Sequence, residues 1–138
     1  GSPIRAVDVV YSMERLLGAV GALIEHRRLI LVVGIGVTHS PRDLLATLLP
    51  AAAKVVVTRS RHAKATPPEE LASLARELGR EAVVTHAVAE ALPAALAEAT
   101  PDDLVLTTGS LFVVAEAREA WAAMQGLPPP PSDPPGVY

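Results

Sequence analysis

Cysteine is absent from the 138 residues, so disulfides, thiolate metal sites and a thiol nucleophile are ruled out, and a cytoplasmic setting is expected. Aromatic residues are nearly absent as well. With only Tyr11, Phe112, Trp121 and Tyr138, no base-stacking platform can be assembled. Positive charge is not in excess either: the net charge is −3, and basic clusters are limited to His26-Arg27-Arg28 and Arg59-Ser60-Arg61-His62. Nucleic acid is therefore not an expected partner. No apolar run is long enough to span a bilayer and no signal-peptide pattern opens the chain, so no membrane role is expected. No Gly-Lys-Ser/Thr triplet occurs, which removes the P-loop cradle for a triphosphate.

Half of the residues are hydrophobic, and with so few aromatics the core has to be built from Ala, Val and Leu. That mixture suits one α/β domain with Val-rich strands and Ala/Leu-rich helices. Gly1-Ser2 reads as a cloning scar, residues 3–124 as the domain, and residues 125–138, with six prolines in fourteen, as an extended or disordered tail.

Apolar runs at Ile4 to Val10, Leu29 to Val33, Lys54 to Thr58, Ala82 to Thr85 and Asp102 to Thr107 predict strands. Helical spacing appears between them. Met13, Leu16, Leu17, Val20, Leu23 and Ile24 predict a helix capped by Ser12; Ser40-Pro41-Arg42-Asp43 predicts the start of a second. Thr66-Pro67-Pro68-Glu69 has a cap, a first-turn proline and a capping-box carboxylate, and its helix should stop at Gly79. An Ala/Leu helix follows from Val88 to Ala99, where Pro93 predicts a kink or a later start, and a last helix runs from Ser110 to Met124. Strands alternating with helices predict a Rossmann-like three-layer α/β domain with a mainly parallel sheet of five to six strands. In such sheets ligands bind beyond the carboxyl ends of the strands.

The stretch from Asp103 to Arg118 carries the strongest candidate, because a buried strand passes through Thr107-Thr108-Gly109-Ser110 directly into a helix. Small residues there admit a ligand close to the backbone, and the helix start offers N–H groups and partial positive charge to an anion. The structural alternative is a Thr108 or Ser110 cap with Gly109 making the turn. Arg59, Arg61, His62 and Lys64 form a cationic loop suited to an acidic substrate, or else an ordinary solvated loop. Gly34-Ile35-Gly36 follows a strand, yet His39 occupies the third glycine position of a dinucleotide fingerprint and no acidic residue closes the second strand, so nicotinamide is not expected. His39, His62 and His86 each follow a strand without a second ligand at close spacing, so no metal site is predicted. No catalytic triad can be argued from the sequence.

The segments Leu29 to Gly34, Val55 to His62, Pro67 to Ala72 and Pro101 to Phe112 resemble the C-terminal domain of folylpolyglutamate synthase/dihydrofolate synthase, in the Mur ligase superfamily. The run Asp102-Asp103-Leu104-Val105-Leu106-Thr107-Thr108-Gly109-Ser110-Leu111-Phe112 carries most of the likeness, which covers about residues 6 to 122. The resemblance implies an ATP- and magnesium-dependent ligase that joins glutamate to a folate carboxylate. In that family the P-loop and catalytic magnesium belong to a preceding central domain, in cis or trans, and the C-terminal domain closes over the nucleotide. It implies that Thr108, Gly109 and Ser110 face L-glutamate, that Arg59, Arg61 and His62 share that edge, and that Asp8 contacts ATP. It implies no catalytic residue here, and the chain alone is expected to bind no cofactor tightly and to be inactive. One departure stands out: where the family reads Asp-Gly-Ala-His-Asn, this chain reads Asp8-Val9-Val10-Tyr11-Ser12-Met13. That change keeps open a second reading, a free-standing degenerate ligase domain serving as a binding or interaction module. A third, a small nucleotide-binding regulator, rests on fold analogy alone.

Overall fold

The computed structural model describes residues 5–8, 28–36, 40–100, 103–126 and 128. Five strands, β1 (Arg5–Asp8), β2 (Leu29–Val33), β3 (Lys54–Val57), β4 (Val83–Val84) and β5 (Leu104–Thr108), form one sheet in the order β1-β5-β2-β3-β4. Every neighbouring pair in it is parallel. Among the described residues there are four α-helices: α1 (Pro41–Leu48), α2 (Pro68–Glu77), α3 (Val88–Glu98) and α4 (Leu111–Met124). The helix expected from Met13 to Ile24, the Val9 to Met13 part of the altered motif, His39 and the tail beyond Gly126, apart from Pro128, lie outside the described residues.

Local chemistry accounts for the helix ends. Ser40 caps α1 by accepting from the Asp43 N–H at 3.4 Å, with Pro41 in the first turn. At α2 the expected cap is displaced. Pro67, not Thr66, occupies the cap position without a side-chain bond, and the Thr66 hydroxyl is buried and, among the described residues, has no partner. Gly79 ends α2 at φ +86°, where the Gly79 N–H reaches the Arg76 carbonyl and the Arg80 N–H the Ala75 carbonyl, both at 2.9 Å. This paired arrangement is the Schellman close that a left-handed glycine makes possible. Pro93 stands exposed inside α3, which neither starts late nor stops there.

The alternation of side chains along each strand builds two cores. Leu29, Leu31, Val33, Val55, Val57, Leu104 and Leu106 pack with Leu45, Leu48, Leu71 and Ala75 of α1 and α2. Ile30, Val32, Val56 and Val105 face the other way, onto Ala91, Leu92 and Ala95 of α3, with Ala120 and Trp121 of α4 alongside. Such two-sided burial is why these strands read as continuous apolar runs.

Helix placement follows from the handedness of crossovers. The chain moves in one direction across the sheet from β2 to β3 to β4, with α1 and α2 on one face; it then returns from β4 to β5 with α3 on the opposite face. Adjacent strands β2 and β5 therefore send their following segments to opposite faces. That is the switch point at which a crevice opens at the carboxyl edge of a parallel sheet.

The opposite edge is closed by an ion pair. Arg28, just before β2, donates to both oxygens of Asp103, just before β5, at 2.6 and 3.2 Å, and Asp103 also accepts the Thr100 N–H at 2.9 Å. The Asp103 side chain is fully buried. Nearby, Arg80 donates to the Leu49 and Ala52 carbonyls and satisfies the end of the helical turn after α1.

Candidate functional site

At the switch point Gly109, expected to border a ligand, is in close contact with Gly34. The Gly34 N–H donates to the Thr108 carbonyl at 3.3 Å, and a Cβ placed on Gly109 would lie 2.2 Å from the Gly34 oxygen. Gly109 has φ +114°, a conformation that side chains with a Cβ disfavour. A Cβ on Gly34 would meet Val113 Cγ2 at 2.7 Å and the Thr58 carbonyl oxygen at 3.0 Å. Ile35 is buried in the core and Gly36 bridges to Ala65. The Gly34-Ile35-Gly36 motif is thus explained by packing of β2 against β5, α4 and the loop after β3.

Ser110 caps α4, accepting from the Val113 N–H at 3.1 Å. Thr107 and Thr108 are buried, so of the three residues expected to face glutamate only Gly109 and Ser110 reach the surface, each in part. The positive end of α4 opens beside them. Asp8 ends β1 in register with Thr107, which places it on the same carboxyl edge; its side chain lies outside the described residues.

The cationic loop divides into three different environments. Arg59 is half-buried and, among the described residues, has no hydrogen-bond or ion-pair partner, although its charge reaches Glu69. Arg61 is held by α4: its guanidinium lies 3.5 Å from Glu116 and 2.9 Å from Glu119, and its N–H donates to Glu116. It lines a cleft of about 250 Å³ with Ala87, Val88, Ala89 and Ala120. His62 stacks on Phe112 of α4 with ring centroids 4.2 Å apart, and its Nδ1 accepts the Lys64 N–H at 3.1 Å. The hydroxyl of Thr58, at the root of this loop, is buried and, among the described residues, has no partner.

Of the three candidate histidines, His62 and His86 have separate partners. His86 pairs with Glu69, whose carboxyl it holds below the ordinary value, while His62 sits on Phe112. Among the described residues no group of three or more His, Asp or Glu could hold a metal ion, and no helix is long and apolar enough to cross a membrane. Sequence reasoning missed Phe112, Glu116 and Glu119 as partners of the loop. Their spacing of four and three residues places them on one stripe of α4, but any solvated helix face shows the same spacing, so it does not single them out.

Comparison with known proteins identifies the family and the fold. Residues 10–111 match the family model described as Mur ligase, glutamate ligase domain. The probable bifunctional folylpolyglutamate synthase/dihydropteroate synthase of Haloferax volcanii is 49% identical over 74 residues, covering 53% of this chain and 9% of that protein. Its Halobacterium salinarum counterpart is 39% identical over 111 residues, 75% of this chain and 14% of that protein. Among solved structures, Escherichia coli FolC in complex with DHPP and ADP superposes with a TM-score of 0.69 at 27% identity, covering 82% of this chain and 26% of that one. Mycobacterium tuberculosis folylpolyglutamate synthase complexed with ADP and AMPPCP shares the fold, with a TM-score of 0.66 at 21% identity over 86% of this chain and 28% of that one. The chain spans between 9% and 28% of these relatives, and by its family match and its identity to them it belongs to the Mur ligase glutamate ligase domain family, in which it resembles the C-terminal domain of folylpolyglutamate synthase.

Proposed function

We propose that this chain is the glutamate- and nucleotide-facing domain of an ATP-dependent folylpolyglutamate synthase-type ligase of the cytoplasm. One observation carries the reading: the Thr108-Gly109-Ser110 turn and the Arg59 to His62 loop, distant in sequence, meet at the positive end of α4 through the His62–Phe112 stack. A helix start suits a carboxylate of L-glutamate, and Arg59, which among the described residues has no ion-pair partner, supplies a cation from the adjoining loop. Arg59, His62, Gly109 and Ser110 would face that substrate directly, with Thr108 shaping the turn from below and Arg61 held to the side. Asp8, on the same edge, would face ATP. The phosphates and magnesium need a P-loop central domain, in cis or trans, because no segment of this chain supplies one. The chain alone is therefore inactive as a ligase.

The second reading, an interaction module descended from a ligase, is favoured by Val9-Val10 standing where the family has a glycine turn. Bulkier residues leave less room for a ribose or phosphate. The two readings separate in an NMR titration of the labelled chain with L-glutamate and, separately, magnesium-ATP, carried to millimolar ligand, where about −4 kcal/mol of binding free energy is still visible. The ligase reading predicts glutamate-induced shifts confined to Thr107 to Phe112 and Arg59 to Lys64. Silence with both ligands would sink it and favour the module.

A further inference from the structure

We propose that Glu116 is a positioning residue that clamps the loop after β3 onto α4. The loop leaves β3 for α2, and α2 packs on the face of the sheet shared with α1. Nothing in that route requires contact with α4, which lies on the other face. Yet the Arg61 N–H donates to Glu116 at 2.9 Å (Oε2) and 3.3 Å (Oε1) before the loop returns, tied by the Thr66 N–H to the Ile35 carbonyl at 2.8 Å. The detour brings the loop over the start of α4.

Burial identifies which contact holds it. The Glu116 side chain is 13% exposed, against 50% for Glu119 and 75% for Arg61. A carboxylate largely withdrawn from water is stabilised by fixed donors, and the backbone N–H of residue 61 is the best placed of them. The Arg61–Glu119 pair is exposed and contributes little. Because the clamp takes a backbone group, the side chain at position 61 is secondary to it. Phe112 adds the second point of attachment, through the His62 ring, one turn earlier on the same stripe.

Whether this loop receives glutamate rests on the reading above, whereas the clamp stands on geometry alone. The test is amide hydrogen exchange across Ser60 to Lys64 in the full chain, with each variant's thermal melt recorded to show that it folds. Glu116→Ala should speed exchange at the Arg61 amide by about ten-fold or more, since its acceptor is lost. Glu116→Gln, which keeps one acceptor oxygen, should restore most of the protection, and Arg61→Ala should stay near the wild type. In the glutamate titration Glu116→Ala should bind several-fold more weakly than Glu116→Gln. An Arg61 amide equally protected in Glu116→Ala, or a loop released as fully by Arg61→Ala, would overturn the proposal. A loop freed by Glu116→Ala in a chain that never responds to glutamate would uphold the clamp and overturn only the functional reading.

Discussion

Gly109→Ala is expected to lower the melting temperature by about 10 °C or more, corresponding to a loss of at least about 3 kcal/mol. Two costs combine at this position. The backbone holds φ +114°, outside the narrow left-handed region that alanine tolerates, and the new Cβ would lie 2.2 Å from the Gly34 oxygen and 3.2 Å from Val33 Cγ2. A carbonyl oxygen in the main chain cannot rotate out of the way as a side chain can. Relief requires β2 and β5 to separate at their carboxyl ends, which also opens the candidate site. Gly79→Ala is the matched control: φ is +86°, but nothing lies within 4 Å of the added carbon. It should cost only the local strain, about 1 kcal/mol. Equal losses in the two variants would show that the close approach at the switch point has no energetic weight.

Asp103→Asn is the second large effect, at the other edge of the sheet. Removing the charge leaves Arg28 with a neutral partner beneath β2 and β5, at a cost of about 2–3 kcal/mol, toward the low end for a buried pair because Arg28 is itself one-third exposed. The hydrogen bonds from Arg28, then from the Thr100 N–H, hold the Asp103 carboxyl well below its ordinary value of 3.8. A carboxyl depressed in the folded state contributes stability that is complete above the unfolded value and is lost as pH falls through the folded one. The gap between wild type and Asp103→Asn in urea denaturation should therefore be full near pH 7 and narrow steadily below about pH 4. A gap that stays constant down to about pH 3 would contradict the assignment.

The features legible in the sequence are those set by near neighbours. Unbroken apolar runs at Leu29 and Leu104 announced strands covered on both faces, Ser40 and Ser110 announced helix starts, and Gly79 announced a stop. The cap assigned to Thr66 shows the limit of that logic. The chain turns one residue later, at Pro67, and the Thr66 hydroxyl is carried into the interior instead. Interactions across the fold left no local trace. Arg28 and Asp103 are 75 residues apart, and Arg61 is 55 residues from Glu116. Glu116 and Glu119 have the spacing of an ordinary solvated helix face, and only the loop that lies over them distinguishes it. Strand order likewise depends on which helix covers which face, which the alternation of apolar residues does not specify.

Arg59 is the residue on which the functional account turns, because Arg61 is held by two carboxylates whereas Arg59, among the described residues, forms no ion pair. The most direct measurement is therefore the dissociation constant for L-glutamate of the wild-type chain and of Arg59→Ala, read from the shifts of Gly109 and Ser110. The account predicts saturable binding by the wild type and an affinity about ten-fold or more weaker in the variant, the loss of one charge-assisted hydrogen bond. Affinities within about two-fold of each other would contradict it.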